Sequence, residues 1–420
     1  MDGTLPREPR PAQRRSTTGD RGTTQVHGTP ETARHGPGGR PGTMPFQQFI
    51  VKVNSRCNLA CRYCYMYFAA DAGWRGRPVT ASPGMLRRTA ERIAEHAAAH
   101  RLPALSLVLH GGEPLLTDPA DLGAFVADVR RRVPDGCAVH ATVQTNGVLL
   151  TEEKLTVLAA HGITVGLSLD GGLARHNRRR VDHAGRPSWP AVERAARLLA
   201  EDRHRASWSG ALCVIDLADD PAEVYTSLLD LAPPALDFLL PHGNWTHPPD
   251  GLPAPADAPA PYGDWLCTVF DLWWHADRRR TRVRLFQECI ALILGLPAAT
   301  ESLGLQPFTA VVVETDGAIE QVDSLKTAHD GAAATGLDIF SAPFDAALAH
   351  PGVMARQAGR AALAPACLDC ALVDVCGGGH YAHRYREGTP DPFRHPSVYC
   401  ADLQRLIGHI SAALHRAVAA

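Results

Sequence analysis

From Phe46 onward, short apolar runs alternate with longer stretches of helical periodicity. Strand-like runs fall at Phe49–Val53, Leu105–Leu109, Ala138–Val143, Ile163–Leu169, Ser209–Ile215 and Leu236–Leu240. The segments between them carry apolar residues every three or four positions. Ser82-Pro83 predicts an N-cap followed by proline in the first turn, and Leu86, Ala90, Ile93 and Ala97 then share one face. Leu122, Phe125, Val126 and Val129 form the matching stripe of the next helix. Six strand–helix repeats predict an α/β protein built on a parallel sheet with covering helices, and a partial (β/α)6 barrel fits the count.

Four polar clusters follow the first four strands in turn. Cys57, Cys61 and Cys64 come after the first, Gly111-Gly112-Glu113 after the second and Thr145-Asn146-Gly147 after the third, while Ser168 and Asp170 lie at the end of the fourth. In α/β barrels the chemistry sits on loops at the carboxyl ends of strands, so the clusters are expected on one rim. Beyond the barrel (45–241), residues 242–262 are rich in proline and alanine and read as a connection. Helical patterns at Trp265–His275 and Arg284–Leu294 complete a bridge through 306. Residues 307–412 form a last region with few regular signals and dense cysteines.

The 420 residues include 42 Lys and Arg against 44 Asp and Glu, a balance that gives no support for nucleic-acid binding. No apolar run predicts a membrane span or a signal core, and the eleven cysteines do not suggest a secreted disulfide framework. The expectation is a cytoplasmic, oxygen-sensitive enzyme with no membrane partner. Residues 1–44, rich in Arg, Pro, Gly and Thr, cannot repay their ordering entropy and are expected to be a disordered tail, with Met44 a candidate start. Arg14-Arg15 is followed by no apolar stretch, which argues against a twin-arginine signal.

The run Cys57-Asn-Leu-Ala-Cys61-Arg-Tyr63-Cys64 is the sharpest chemical signal. Three thiolates hold three irons of a four-iron cluster and leave one iron open. The CxxxCxxC spacing, with aromatic Tyr63 before the third cysteine, resembles the radical S-adenosylmethionine (SAM) superfamily. That resemblance implies a SAM-binding [4Fe–4S] cluster on a partial barrel. It implies that Gly111, Gly112 and Glu113 meet the methionyl ammonium, and that Asn146, Ser168 and Asp170 belong to the cofactor segments, although Asn-Gly and a polar strand end are also ordinary turns. Of the arginines in His176-Asn177-Arg178-Arg179-Arg180, Arg180 is assigned to the SAM carboxylate, against the alternative of a surface basic run. The implied chemistry is cleavage of SAM to a 5′-deoxyadenosyl radical that abstracts hydrogen from an unactivated C–H bond.

Cys367-x-x-Cys370-x5-Cys376, with Cys400, resembles the C-terminal SPASM extension of peptide-modifying radical SAM enzymes. Four thiolates suit one auxiliary [4Fe–4S] cluster, with a zinc ribbon as the competing reading. Two positions depart from the full pattern: His380 stands where a fourth clustered cysteine is expected, and Val322 where an upstream one is expected, so a second auxiliary cluster is not expected. His380 is a ligand candidate in its own right, or else a hydrogen-bonding residue. Asp323 keeps the place of the general base of sulfatase-maturing relatives, or is a turn carboxylate. Cys137, Cys213, Cys267 and Cys289 read as core thiols, Cys289 doubling as a remote ligand candidate.

The strings Leu239-Leu240-Pro241-His242-Gly243-Asn244-Trp245, Val312-Val313-Glu314-Thr315-Asp316-Gly317, Gln321-Val322-Asp323-Ser324-Leu325-Lys326 and Cys376-Gly-Gly-Gly-His380-Tyr381-Ala382-His383-Arg384-Tyr385 narrow the resemblance to FxsB-type radical SAM/SPASM maturases over residues 45–412. It implies a ribosomally synthesised precursor peptide as substrate, a three-residue cyclophane as product and an electron donor such as ferredoxin or flavodoxin. A formylglycine-forming enzyme of the anaerobic sulfatase-maturase kind and a non-catalytic iron–sulfur peptide-binding protein are the alternatives. No distinct peptide-recognition domain is evident before Met44.

Overall fold

The computed structural model describes residues 43–249, 260–298 and 301–419. The expected tail lies outside the described residues except at its end, as does 250–259 of the proline-rich connection. All six anticipated strands are present: β1 Gln48–Asn54, β2 Ala104–Gly111, β3 Ala138–Thr145, β4 Ile163–Ser168, β5 Trp208–Val214 and β6 Ala235–Leu239. Each pairs in parallel with the next, which makes the partial (β/α)6 barrel of the sequence-based expectation. Four elements had no clear sequence signal. β7 (Arg282–Val283) extends the β6 edge in parallel, and β8 (Ala310–Val313) pairs in parallel with the free edge of β1. β9 (Ala318–Glu320) and β10 (Ala334–Asp338) then continue antiparallel beyond β8. The cysteine-rich region is therefore hydrogen-bonded into the same ten-stranded sheet.

The helices α1 Pro83–His100, α2 Pro119–Arg132, α3 Glu152–Ala160, α4 Trp189–Ala200 and α5 Pro221–Asp230 alternate with these strands. Ser82, Asp118 and Asp220 cap α1, α2 and α5 through side-chain oxygens that accept from backbone N–H groups, each followed by proline. The α2 stripe is buried as expected. In α1 the buried residue of the first turn is Met85, and Leu86 is only half-buried. Each fully buried aliphatic side chain of these stripes contributes roughly 1.5–3 kcal/mol by leaving water. Cys213, Cys267 and Cys289 are core thiols, whereas Cys137, just before β3, is half-buried and packs at the edge of the core.

α6 (Pro261–Trp274) and α7 (Arg284–Ile293) form the bridge. The C-terminal helix Cys400–Ala419 packs on α6, with Gly263 N–H donating to Asp402 Oδ1 at 2.9 Å and His409 Nε2 at 2.7 Å from Asp271. A side chain at Gly263 would meet the Asp402 carbonyl oxygen at 2.7 Å, so the two helices approach backbone to backbone there. No helix among the described residues is long and apolar enough to cross a membrane.

Candidate active site

β1 sends Phe49, Val51 and Val53 toward the helices and Lys52 to the other face, because successive strand residues alternate sides. The chain then turns into the loop carrying Cys57, Cys61 and Cys64. This loop is held by the glycines after β2. Gly111, at φ +145°, lies so close to Asn54 that a Cβ would stand 2.1 Å from its carbonyl oxygen. A Cβ at Gly112 would stand 1.9 Å from Tyr67 Oη and 2.4 Å from the Arg56 carbonyl oxygen. Glycine is therefore required at both positions for the cysteine loop to seat on β2.

Glu113 is fully buried and accepts from Thr145 Oγ1 (2.6 Å), Asn146 N–H (2.8 Å) and Leu115 N–H (3.0 Å). An ionised carboxylate has about four acceptor positions, so one remains for an ammonium donor. Asn146 joins this carboxylate to the cysteine loop: its Nδ2 donates to Asn58 Oδ1 at 2.8 Å and lies 3.7 Å from Cys57 Sγ. It also occupies an Asn-Gly turn, Gly147 having φ +76°, so the turn and the bonding to the loop coexist.

The fourth cluster closes from the other side. Tyr63 donates to Asp170 Oδ2, and Arg180 Nη1 lies 2.8 Å from Tyr63 Oη and 3.8 Å from Asp170 Oδ1. Arg178 instead pairs with Asp216 and Asp219, and Arg179 with Asp216, both partly exposed. Only Arg180 of the three is buried at the site. Ser168, at the end of β4, accepts from Gln144 Nε2 at 2.9 Å inside the barrel.

Two buried atoms here, Asp170 Oδ1 and Arg180 Nε, have no hydrogen-bond partner. One acceptor and one donor left bare in a buried site are what a zwitterionic amino acid with a ribose would satisfy. Burial pushes the Cys57 thiol up to about 12 and Cys64 to about 11. At neutral pH these sulfurs become thiolates only beside a cation, as cluster irons provide. Leu59 N–H is 3.4 Å from Cys57 Sγ, a donor suited to a ligating thiolate. The residues present thus fit a three-cysteine [4Fe–4S] cluster with SAM.

The second cysteine set also converges. Burial raises the Cys367, Cys376 and Cys400 thiols, and neighbouring sulfurs of the set add to it, Cys370 acting on both Cys367 and Cys400. Cys400 opens the C-terminal helix, where the helix end favours a thiolate. Leu372 N–H is 3.5 Å from Cys370 Sγ. Gly377, Gly378 and Gly379 all have positive φ and wrap their carbonyls around Arg384, whose Nη2 is 2.7 Å from Gly377 O and 2.6 Å from Gly379 O. A Cβ at Gly377 would meet Gly304 O at 1.7 Å. The donor set fits one auxiliary [4Fe–4S] cluster. Val322 is buried in a small apolar cluster with Leu325, Ala333 and Ala382.

Residues 51–227 match the radical SAM superfamily. The chain is a radical SAM enzyme. This radical SAM enzyme is similar to the serine-type anaerobic sulfatase-maturating enzyme of Klebsiella aerogenes, 27% identical over 352 residues that span 82% of each chain. The cysteine-type enzyme of Clostridium perfringens is 26% identical over 66% of this chain and 74% of its own. Among solved structures, native anSMEcpe with bound AdoMet superposes with a TM-score of 0.73 at 21% identity, covering 88% of this chain and 98% of that one. Streptococcus suis SuiB bound to precursor peptide SuiA gives 0.55 at 13%, covering 85% and 76%. These structural likenesses show the shared fold.

Asp323 lies inside the barrel end, in a buried network spanning β1, β8 and β9. Lys52 Nζ is 2.8 Å from Asp323 Oδ1, and Lys326 Nζ is 3.3 Å from the same oxygen and 2.6 Å from Glu314. Glu320 pairs with Arg77 and with Lys326 at 3.2 Å. Three carboxylates thus face three cations. Burial alone would raise the Asp323 carboxyl, but Lys52 and Lys326 outweigh it and hold it well below the usual range. Across the sheet from Lys52, His110 is held down to about 4 by burial and by Lys52. Lys52, Glu314 and Lys326 went unassigned in the sequence. The available signal was a lysine amid Phe49, Ile50, Val51 and Val53, a charge that a buried strand tolerates only when paired.

Proposed function

We propose that this radical SAM enzyme modifies a ribosomally synthesised precursor peptide, joining an aromatic ring carbon of one residue to a β-carbon of a neighbour in a three-residue cyclophane. When bound, the cluster and SAM supply a carbon-centred oxidant that removes one hydrogen atom from an unactivated C–H bond. In this reading Glu113, Asn146, Asp170 and Arg180 orient the cofactor, and Asp323 is the catalytic carboxylate on the substrate side. The Cβ loses a hydrogen atom, the new C–C bond forms at the ring, and the ring hydrogen leaves as a proton and an electron. Cys367, Cys370, Cys376 and Cys400 would hold an auxiliary cluster able to accept that electron, as could an electron carrier of the ferredoxin or flavodoxin class.

The observation that carries this reading over its rival is the engagement of Asp323 by Lys52 at 2.8 Å and Lys326 at 3.3 Å. A carboxylate so stabilised is a weak base. It suffices for the acidic proton released as a ring regains aromaticity, and it suits poorly the deprotonation of a serine hydroxyl. The second reading, formylglycine formation, is favoured by the similarity to sulfatase-maturating enzymes along most of both chains. Anaerobic reconstitution with SAM, dithionite and a candidate precursor peptide, sought among short reading frames beside this chain's gene, tests both. Production of 5′-deoxyadenosine with a peptide lighter by two hydrogens and inert to carbonyl reagents supports the crosslink; an aldehyde supports the rival.

A further inference from the structure

Three imidazoles meet where the loop after β6 touches the segment that follows the triple glycine. His242, His380 and His383 each place a ring nitrogen within 4.8 Å of the others'. His383 is buried and the other two are half-buried. The ring centroids of His380 lie 5.2 Å from His242 and 4.8 Å from His383. Bringing three such rings together is costly unless something satisfies their nitrogens, because each neutral imidazole has one donor and one acceptor in fixed directions.

One of the three distances already suits a metal. His242 Nδ1 and His383 Nε2 share a hydrogen bond at 3.3 Å, whose proton a metal between them would replace. The edge of a tetrahedron around zinc, with Zn–N of about 2.0–2.1 Å, is about 3.3–3.4 Å. His380 Nδ1 accepts from the Ala382 N–H at a long 3.3 Å, a bond that a metal on that lone pair would replace, and its Nε2 stands 3.3 Å from Glu301 Oε2. Glu301 is itself anchored by Arg356. A ligating histidine whose second nitrogen donates to an anchored carboxylate is the usual outer shell of a metal site. The rings are also fixed in place. Tyr399 packs on His383 at 4.9 Å and donates to Pro241 O at 2.6 Å, next to His242, while Tyr65 packs edge-on against His242 at 4.6 Å.

We propose that His242, His380 and His383 bind one divalent transition-metal ion of the zinc class, distinct from both iron–sulfur clusters, with Glu301 orienting His380. A nitrogen-only set of three suits a mononuclear ion that keeps a fourth position for water or a substrate group. Through Tyr65, adjacent to Cys64, the site abuts the cysteine loop.

The test uses enzyme with its clusters reconstituted anaerobically, incubated with zinc and passed over a desalting column before metal analysis. The wild type is expected to retain one zinc beyond its iron. His242→Ala and His380→Ala should each weaken retention by at least about tenfold, and Glu301→Gln by a similar factor, with iron unchanged. Zinc-edge absorption on the wild type alone should show nitrogen neighbours at about 2.0 Å. The proposal fails if the wild type retains no more zinc than the double variant His242→Ala/His380→Ala. It fails equally if zinc displaces iron, or if the neighbours are sulfurs at about 2.3 Å.

Discussion

Lys52 Nζ meets Asp323 Oδ1 at 2.8 Å across 271 positions of sequence, with the lysine side chain 1% exposed. The contact ties the first barrel strand to the segment after β9. It also sets the charge state of the one carboxylate assigned to proton transfer. Removing the lysine leaves a buried carboxylate with only Lys326 to share among three acids. Lys52→Met is therefore expected to cost about 3 kcal/mol, toward the low end for breaking a buried pair. Urea unfolding of the variant measures it; a loss under about 0.5 kcal/mol, as for a surface substitution, contradicts the network.

The same network fixes the sign of a pH effect. The folded-state pKa of Asp323 lies below its unfolded value, with Lys52 and Lys326 outweighing burial. Its stabilisation is complete above the ordinary Asp range near about 4 and is lost as pH falls through the folded value. The stability gap between wild type and Asp323→Asn should narrow from about pH 6 to about pH 3. A gap that stays constant would show that Asp323 is not held ionised by its neighbours.

Arg178, Arg179 and Arg180 separate by burial. Arg180→Lys loses the planar fork beside Tyr63 and Asp170, and its SAM affinity should fall on the order of a hundredfold, since a charged hydrogen-bonding pair is at stake. Arg178→Ala should bind SAM as wild type does, because Arg178 pairs with Asp216 and Asp219 instead. Equilibrium dialysis against SAM compares them, and equal losses would undo the assignment.

Gly112→Ala puts a methyl group against the Arg56 carbonyl and Tyr67 Oη, and the cysteine loop must move. Reconstituted wild type should hold about eight irons, four in each of two clusters. Gly112→Ala should drop to about four and lose SAM cleavage, whereas Cys400→Ala should drop to about four and retain it. Gly76→Ala, with nothing near its Cβ, is the control.

Much of this was legible because it is local. The six strands, the Ser82 cap and the strand-end motifs are each written within a few residues, and apolar alternation needs no partner to be seen. The choice of Arg180 over its neighbours needed the resemblance first and the burial afterwards. What stayed hidden depends on distant pairing. β8 is four residues long and becomes a strand by joining β1, whose free edge the sequence does not announce. Lys52 makes sense only with Asp323, and His242 only with His380 and His383. Leu86 and Met85 exchanged places because a stripe drawn at helical spacing does not fix which first-turn residue meets the sheet.

The central claim is that the peptide leaves this enzyme crosslinked between carbons. High-resolution mass spectrometry of the candidate precursor peptide, co-expressed with wild type and with Cys57→Ala, tests it most directly. The account predicts a wild-type product lighter by two hydrogens, whose fragments never separate the two joined residues, and an unchanged peptide with the variant. An unmodified peptide from active wild type, or an aldehyde at serine or cysteine, would contradict it.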